Sequence, residues 1–160
     1  MRILMLGELI LESREWVTGQ RVLSVENGIS KLEISIAGIG IFTGSLEVTT
    51  TWTYWSIQRP DGTFHSHGQG VIMTMDGRDM ATATGRTEGK MIESGKMRYV
   101  GAIFYETRLK DKLAFLNHLV GVNEYELDAS GITITSYGNG NRWTRIVIYS
   151  PSWFLHYVRT

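Results

Sequence analysis

His65-Ser66-His67 sets two of the chain's four histidines one residue apart. On an extended strand such residues leave the same face with α-carbons ~7 Å apart, so both imidazoles can reach one metal ion. Gln69 and Val71 stand where a carboxylate ligand is wanted; His118 falls in an expected helix and His156 in a segment with no assigned element. The pair therefore reads first as two polar side chains on one strand face, with a metal site as the alternative. No cofactor or metal is expected. A second group able to do chemistry is carboxylates flanked by aromatic or apolar residues, where desolvation raises a carboxyl pKa toward neutrality and suits it to proton transfer. Glu8, Glu47, Glu106, Glu124 and Glu126 have such neighbours.

Whether these groups face a site depends on the strands that carry them. In Leu46 to Ser56 the even positions hold Leu46, Val48, Trp52 and Tyr54, and the odd ones Glu47 and three threonines before Trp55, so the even face is expected inward. Val122 to Asp128 puts Glu124 and Glu126 on one face and Asn123, Tyr125 and Leu127 on the other. If Asn123 and Tyr125 point in, the two glutamates form a solvated face. Met97 to Tyr105 is apolar on both sides, with Met97, Tyr99, Ile103 and Tyr105 against Val100, Ala102 and Phe104. Such a strand is buried twice, which predicts a homo-oligomer, dimer or trimer. The expected ligand-binding set is Trp52, Tyr54, Tyr99, Tyr125 and Asn123, with Tyr105 shaping the cavity and assisting proton transfer. Glu47 or Glu124 is the proton-transfer carboxylate if the register brings it inside.

The elements around them read as an antiparallel all-β domain. Eighteen glycines and two prolines separate short runs rich in Val, Ile, Thr, Tyr and Trp. Strands are expected near 3–13, 15–25, 31–38, 41–57, 63–75, 79–87, 97–107, 120–127, 131–137 and 142–149, some of them merging to leave about eight. Pro60-Asp61-Gly62 and Asp76-Gly77 read as hairpin turns; Ser94-Gly95, Ala129-Ser130-Gly131 and Gly138-Asn139-Gly140-Asn141 mark further turns. Gly68 and Gly70 fall within a strand and read as points of curvature. Leu109, Leu113 and Leu116, widened by Phe115 and Leu119, predict one short helix over 109–119, lying across an end of the sheet. A sheet of this size most economically closes on itself, so the expectation is a single antiparallel β-barrel of about eight strands with one short helix, over 1–149, followed by a C-terminal tail of 150–160.

Composition narrows the function classes. Sixteen Lys and Arg balance sixteen Asp and Glu, and no run of five like charges occurs, which argues against a nucleic-acid partner. Without cysteine there is no thiol nucleophile, thiolate zinc site or disulfide. No stretch of about 18 apolar residues predicts a bilayer-spanning helix, and the apolar start is broken by Glu8, unlike a signal peptide; the expectation is a cytoplasmic chain with no membrane partner. Phosphate-cradling glycine motifs and the G-x-S-x-G nucleophile turn are absent.

The stretch from "GSLEVTTTWTYWSIQRPDG" through "GQGVIMTMDGRDMATATG" to "LAFLNHLVGVNEYELDASG" is similar to a group of small bacterial and archaeal β-barrel proteins. In layout it resembles the allene oxide cyclase-like barrel, whose wider set includes dirigent-type proteins. The resemblance covers roughly residues 40 to 131 and is one of layout, not of catalytic residues. It implies an eight-stranded barrel, dimers or trimers, and an apolar cavity in which a reactive intermediate is folded for cyclisation. Three readings follow. The first is a barrel that binds a small apolar, polyketide- or lipid-like molecule and acts as a cyclase or isomerase. The second is a non-enzymatic assembly module. The third is a metal-dependent enzyme using His65 and His67, whose H-x-H spacing resembles the start of a cupin metal motif. Past Gly140, "NRWTRIVIYSPSWFLHYVRT" leaves the resemblance.

Overall fold

The computed structural model of the chain describes residues 10–42, 45–93, 95–108, 110–128 and 132–134. Eight strands occur among them: β1 (Leu11–Glu26), β2 (Ile29–Phe42), β3 (Leu46–Gln58), β4 (Phe64–Thr74), β5 (Met80–Glu93), β6 (Lys96–Thr107), β7 (Val120–Leu127) and β8 (Ile132–Ile134). Each pairs antiparallel with the next, and β8 pairs with both β7 and β1, so the pairing order returns to its start through a three-residue strand. No helix among the described residues is long and apolar enough to cross a membrane.

Alternation along the strands decides which residues are covered. On β3, Val48, Thr50, Trp52, Tyr54 and Ser56 are buried, opposite Thr74, Ile72, Gly70, Gly68 and Ser66 of β4. The same face continues through Ala81, Ala83, Gly85 and Thr87 of β5, Tyr99 and Ile103 of β6, and Gly121 and Asn123 of β7. Period-two patterning of this kind is what a sheet with one covered face requires. The even face of β3 is thus the covered one, as its apolar residues imply.

Turns sit where residues tolerant of left-handed backbone occur. Gly62 (φ 83°) and Gly77 (φ 70°) close the β3–β4 and β4–β5 hairpins. At the first, Asp61 Oδ1 accepts from the Thr63 N–H (2.9 Å) and hydroxyl (2.6 Å); at the second, Asp76 Oδ1 accepts from the Thr74 hydroxyl (2.6 Å) and the Arg78 N–H (3.1 Å). The β1–β2 hairpin turns on Asn27 (φ 52°) and Gly28 (φ 76°), the Asn-Gly pair most characteristic of a tight hairpin. Expected strands 3–13 and 15–25 contribute a single strand, β1, whose ladder to β2 shifts register near Val17 and Val22 instead of breaking. β2 runs on to Phe42, past the break expected near residue 40.

The helix expected over 109–119 is replaced by one short 3₁₀ turn, Ala114–His118. Leu113, Leu116 and Leu119 lie three apart, the 3₁₀ period that stacks side chains in one column. Leu113 and Leu116 are fully buried and Leu119 packs beside them, against Phe42, Val48, Ile72 and Ala81. Side chains also hold the segment out of an α-helix. Asp111 carboxylate oxygens accept from the Leu113 and Met80 N–H groups (3.0 and 3.1 Å), and Asn117 bonds both the N–H and the C=O of Thr107 (2.8 and 2.9 Å). The segment covers one end of the sheet, the position expected of the helix. Residues 3–9, the turns at 129–131 and 138–141, Ser94, the strand at 142–149, Glu8, His156 and the tail 150–160 lie outside the described residues.

Candidate functional site

Beyond the Leu113/Leu116 plug, the covered face turns from aliphatic to aromatic and polar. Trp52 and Tyr54 stack at 5.6 Å, and Tyr99 and Tyr125 stack at 4.8 Å with ring planes 10° apart. Their partners across the ladders are glycines: Gly70 opposite Trp52, Gly68 opposite Tyr54, and Gly89 opposite Tyr99. A Cβ on Gly70 would stand 2.4 Å from the Trp52 ring, on Gly68 2.5 Å from the Tyr54 ring, and on Gly89 2.3 Å from the Tyr99 ring. Gly121 gives Tyr105 the same room. Gly68 and Gly70, read from sequence as curvature, thus also cradle the rings that line the interior.

Among these rings lies a carboxylate that the sequence reading did not single out. Glu15 of β1 pairs through Gly38 to Thr50, and its Oε1 accepts from the Thr50 hydroxyl at 2.9 Å and the Ser13 hydroxyl at 3.2 Å. Burial pushes the Glu15 carboxyl pKa up, against the lowering effect of the hydrogen bonds from Thr50, Ser13 and Trp52. The phenols of Tyr54 and Tyr105 are pushed far above their ordinary range by burial and by the nearby Glu15 charge. Tyr99 and Tyr125 are raised by burial as well. All four stay protonated and able to donate at any physiological pH.

Glu15 lines a small chamber with Ile36, Trp52, Tyr54, Asn123 and Tyr125, its cavity volume about 20 Å³. That is room for one water-sized group. Asn123 is 2% exposed, and its Oδ1 has no hydrogen-bond partner among the described residues.

Of the residues expected to bind ligand, Trp52, Tyr54, Tyr99, Tyr125 and Asn123 all sit on this face, as does Tyr105. The two carboxylates expected to move protons do not. Glu47 is exposed on the opposite face of β3, and Glu124, also of opposite parity to Asn123 and Tyr125, forms an ion pair with Arg98. The register therefore withholds from both the condition their role required. Glu15 escaped notice because its strand gives a divided signal: Leu11, Ser13, Glu15 and Val17 share a face, and Trp16 lies on the other. Trp16 is in fact 44% exposed, and the parity of Leu11 and Val17 was the sign that Glu15 faces in.

His65 and His67 share a face, but the outer one. His65 Nδ1 lies 2.6 Å from Glu88 Oε1, and Glu88 is also held by Arg59 at 2.6 and 3.2 Å. His67 stacks on Trp55 at 5.2 Å, and its pKa is lowered by desolvation, then by the charges of His65, Lys31 and Arg86. Among the described residues no three His, Asp or Glu side chains come together as a metal site would need. Strand β6 is buried twice only in part: Val100 is buried, whereas Phe104 is 57% exposed.

This arrangement places the chain among antiparallel all-β folds of up-and-down connectivity with an aromatic, glycine-cradled interior. Solved structures share the fold. A conserved protein of unknown function from Rhodopseudomonas palustris superposes with a TM-score of 0.65 at 11% identity, over 82% of this chain and 95% of that one. A protein with unknown function from Clostridium acetobutylicum ATCC 824 does so with a TM-score of 0.65 at 14% identity, over 82% and 97%. At these identities the likeness is one of fold alone. No family model matches the chain, and no curated protein matches it.

Proposed function

We propose that the sheet works as a closed β-barrel that binds a small, largely apolar molecule and moves a proton on it, with Glu15 as the proton-transfer group. The observation that carries this reading is a single carboxyl set among aromatic rings, beside a chamber and raised in pKa by burial. Pairing of β8 with both β7 and β1 supports closure. A carboxylate desolvated in this way takes a proton from a bound molecule and returns it elsewhere, an isomerisation or cyclisation with no net change in protons. Un-ionised Tyr54 and Tyr105 supply hydroxyl donors for charge that develops nearby. The ligand seats a polar atom in the chamber and its apolar remainder against the rings of Trp52, Tyr54 and Tyr125. Cyclisation in particular follows from the resemblance in layout to allene oxide cyclase-like barrels.

The test is a screen of small neutral apolar molecules by NMR. Binders are expected to shift the Trp52 indole and Asn123 amide signals. Hits confined to the outer surface, or none across a broad screen, would contradict the reading.

A second reading, homo-oligomeric assembly, has its own observation. A surface groove of about 370 Å³ is lined by Ile39, Ile41 and Met75, exposed at 53%, 50% and 58%, between Glu12, Arg14 and Glu47. Contiguous apolar surface of this kind favours association. Light scattering behind a sizing column should show a dimer or trimer that Ile41→Glu shifts toward monomer; a wild-type monomer at high concentration excludes it.

A further inference from the structure

Resting on the interior site just proposed, the geometry points to a ligand whose polar atom is a hydroxyl oxygen, of an enol, phenol or alcohol, seated between Glu15 and Asn123. Three observations select it. The chamber is about 20 Å³, the size of one oxygen-centred group and too small for a carboxylate or phosphate. Its wall carries the Tyr54 and Tyr125 hydroxyls as donors, whereas among the described residues the Asn123 Oδ1 acceptor is buried without a partner; a buried acceptor left unpaired is costly, so a bound molecule that donates to it is favoured. Among the described residues no Lys, Arg or His lines the chamber, so an anionic head would lie beside the Glu15 carboxyl without a cation among them to balance it.

A carbonyl oxygen fails the same requirement, since it cannot donate to Asn123 Oδ1. A hydroxyl meets it: the O–H donates to Asn123, and the oxygen's remaining lone pairs face Glu15. If that hydroxyl is an enol, its conversion to the ketone balances within the site. The hydroxyl turns from Asn123 to the Glu15 carboxylate and gives it the O–H proton; the electron pair left on oxygen forms C=O, the C=C pair takes the same proton back from Glu15 at carbon, and the carboxylate is regenerated. Glu15 is within the chamber to serve as the acceptor in that step.

Titration of the intact chain with four probes of one shape, toluene, phenol, benzoate and benzylamine, followed at the Trp52 indole signal, tests the assignment. Phenol is expected to bind at least about fivefold more tightly than toluene, the effect of one satisfied buried acceptor, and more tightly than either ion. Asn123→Leu should abolish the preference for phenol over toluene. If Asn123→Leu does not fold, Asn123→Asp, which keeps the acceptor, should retain the preference, and the wild-type series decides alone. Equal binding of phenol and toluene, or tightest binding of benzylamine or benzoate, overturns the hydroxyl assignment while leaving the interior site standing. Failure of all four probes to perturb Trp52 overturns both.

Discussion

At the scale of single residues, the consequential placement is Glu15. Its folded pKa is raised above the ordinary 4.5, so its protonated form is the one the fold favours. A group of this kind supports the fold fully below its unfolded pKa and loses that support as pH rises through the folded value. Wild-type stability should therefore fall relative to Glu15→Gln as pH climbs from about 4.5 upward, and the two should converge below it. Thermal melts between pH 4 and 8 check this; parallel profiles would mean that Glu15 is solvated. Sequence alone named six residues of the interior correctly by face, because aromatics at alternate positions are a strong signal of burial. It missed the carboxylate because β1 gives a divided signal, with Trp16 on the face opposite Leu11, Glu15 and Val17.

Strand-level features explain how the rings are held. Gly68 and Gly70 on one strand opposite Tyr54 and Trp52 on its neighbour set small against large across the ladder. Gly70→Ala and Gly89→Ala, whose new Cβ atoms would stand 2.4 and 2.3 Å from the rings they cradle, should each cost ~1–3 kcal/mol through overpacking. Gly19→Ala, whose nearest neighbour would be 4.0 Å away, should stay within ~0.5 kcal/mol. Urea denaturation of the three variants checks the contrast; equal effects would rule out ring cradling as the reason for these glycines. The plug offers a second prediction at this scale. Leu116, fully buried in the cluster that seals one end, should cost ~2–5 kcal/mol when changed to Ala. The leucine spacing of four and then three was legible as helical. What turned it into 3₁₀ structure was Asp111 and Asn117 binding strand backbone, a tertiary demand that no local pattern carries.

For the whole molecule, the antiparallel order and most strand positions were readable because turn residues and alternation are local. β7 falls on the expected 120–127, and the Asp-Gly hairpins fall where their residues allow positive φ. Which carboxylate faces inward was carried only by the weak parity of Leu11 and Val17 around Glu15, and a shift of one residue moves every side chain to the other face. The histidine pair met the same fate: its shared face was legible, its outward direction was not.

The central claim is that the half-buried Glu15 carboxyl beside the chamber is the functional group. A ¹³C NMR titration of the Glu15 side-chain carboxyl, alone and with saturating phenol, tests it most directly. The account predicts a midpoint above the ordinary 4.5 that moves when phenol binds. A Glu15 midpoint at the ordinary value that phenol leaves unchanged would contradict it.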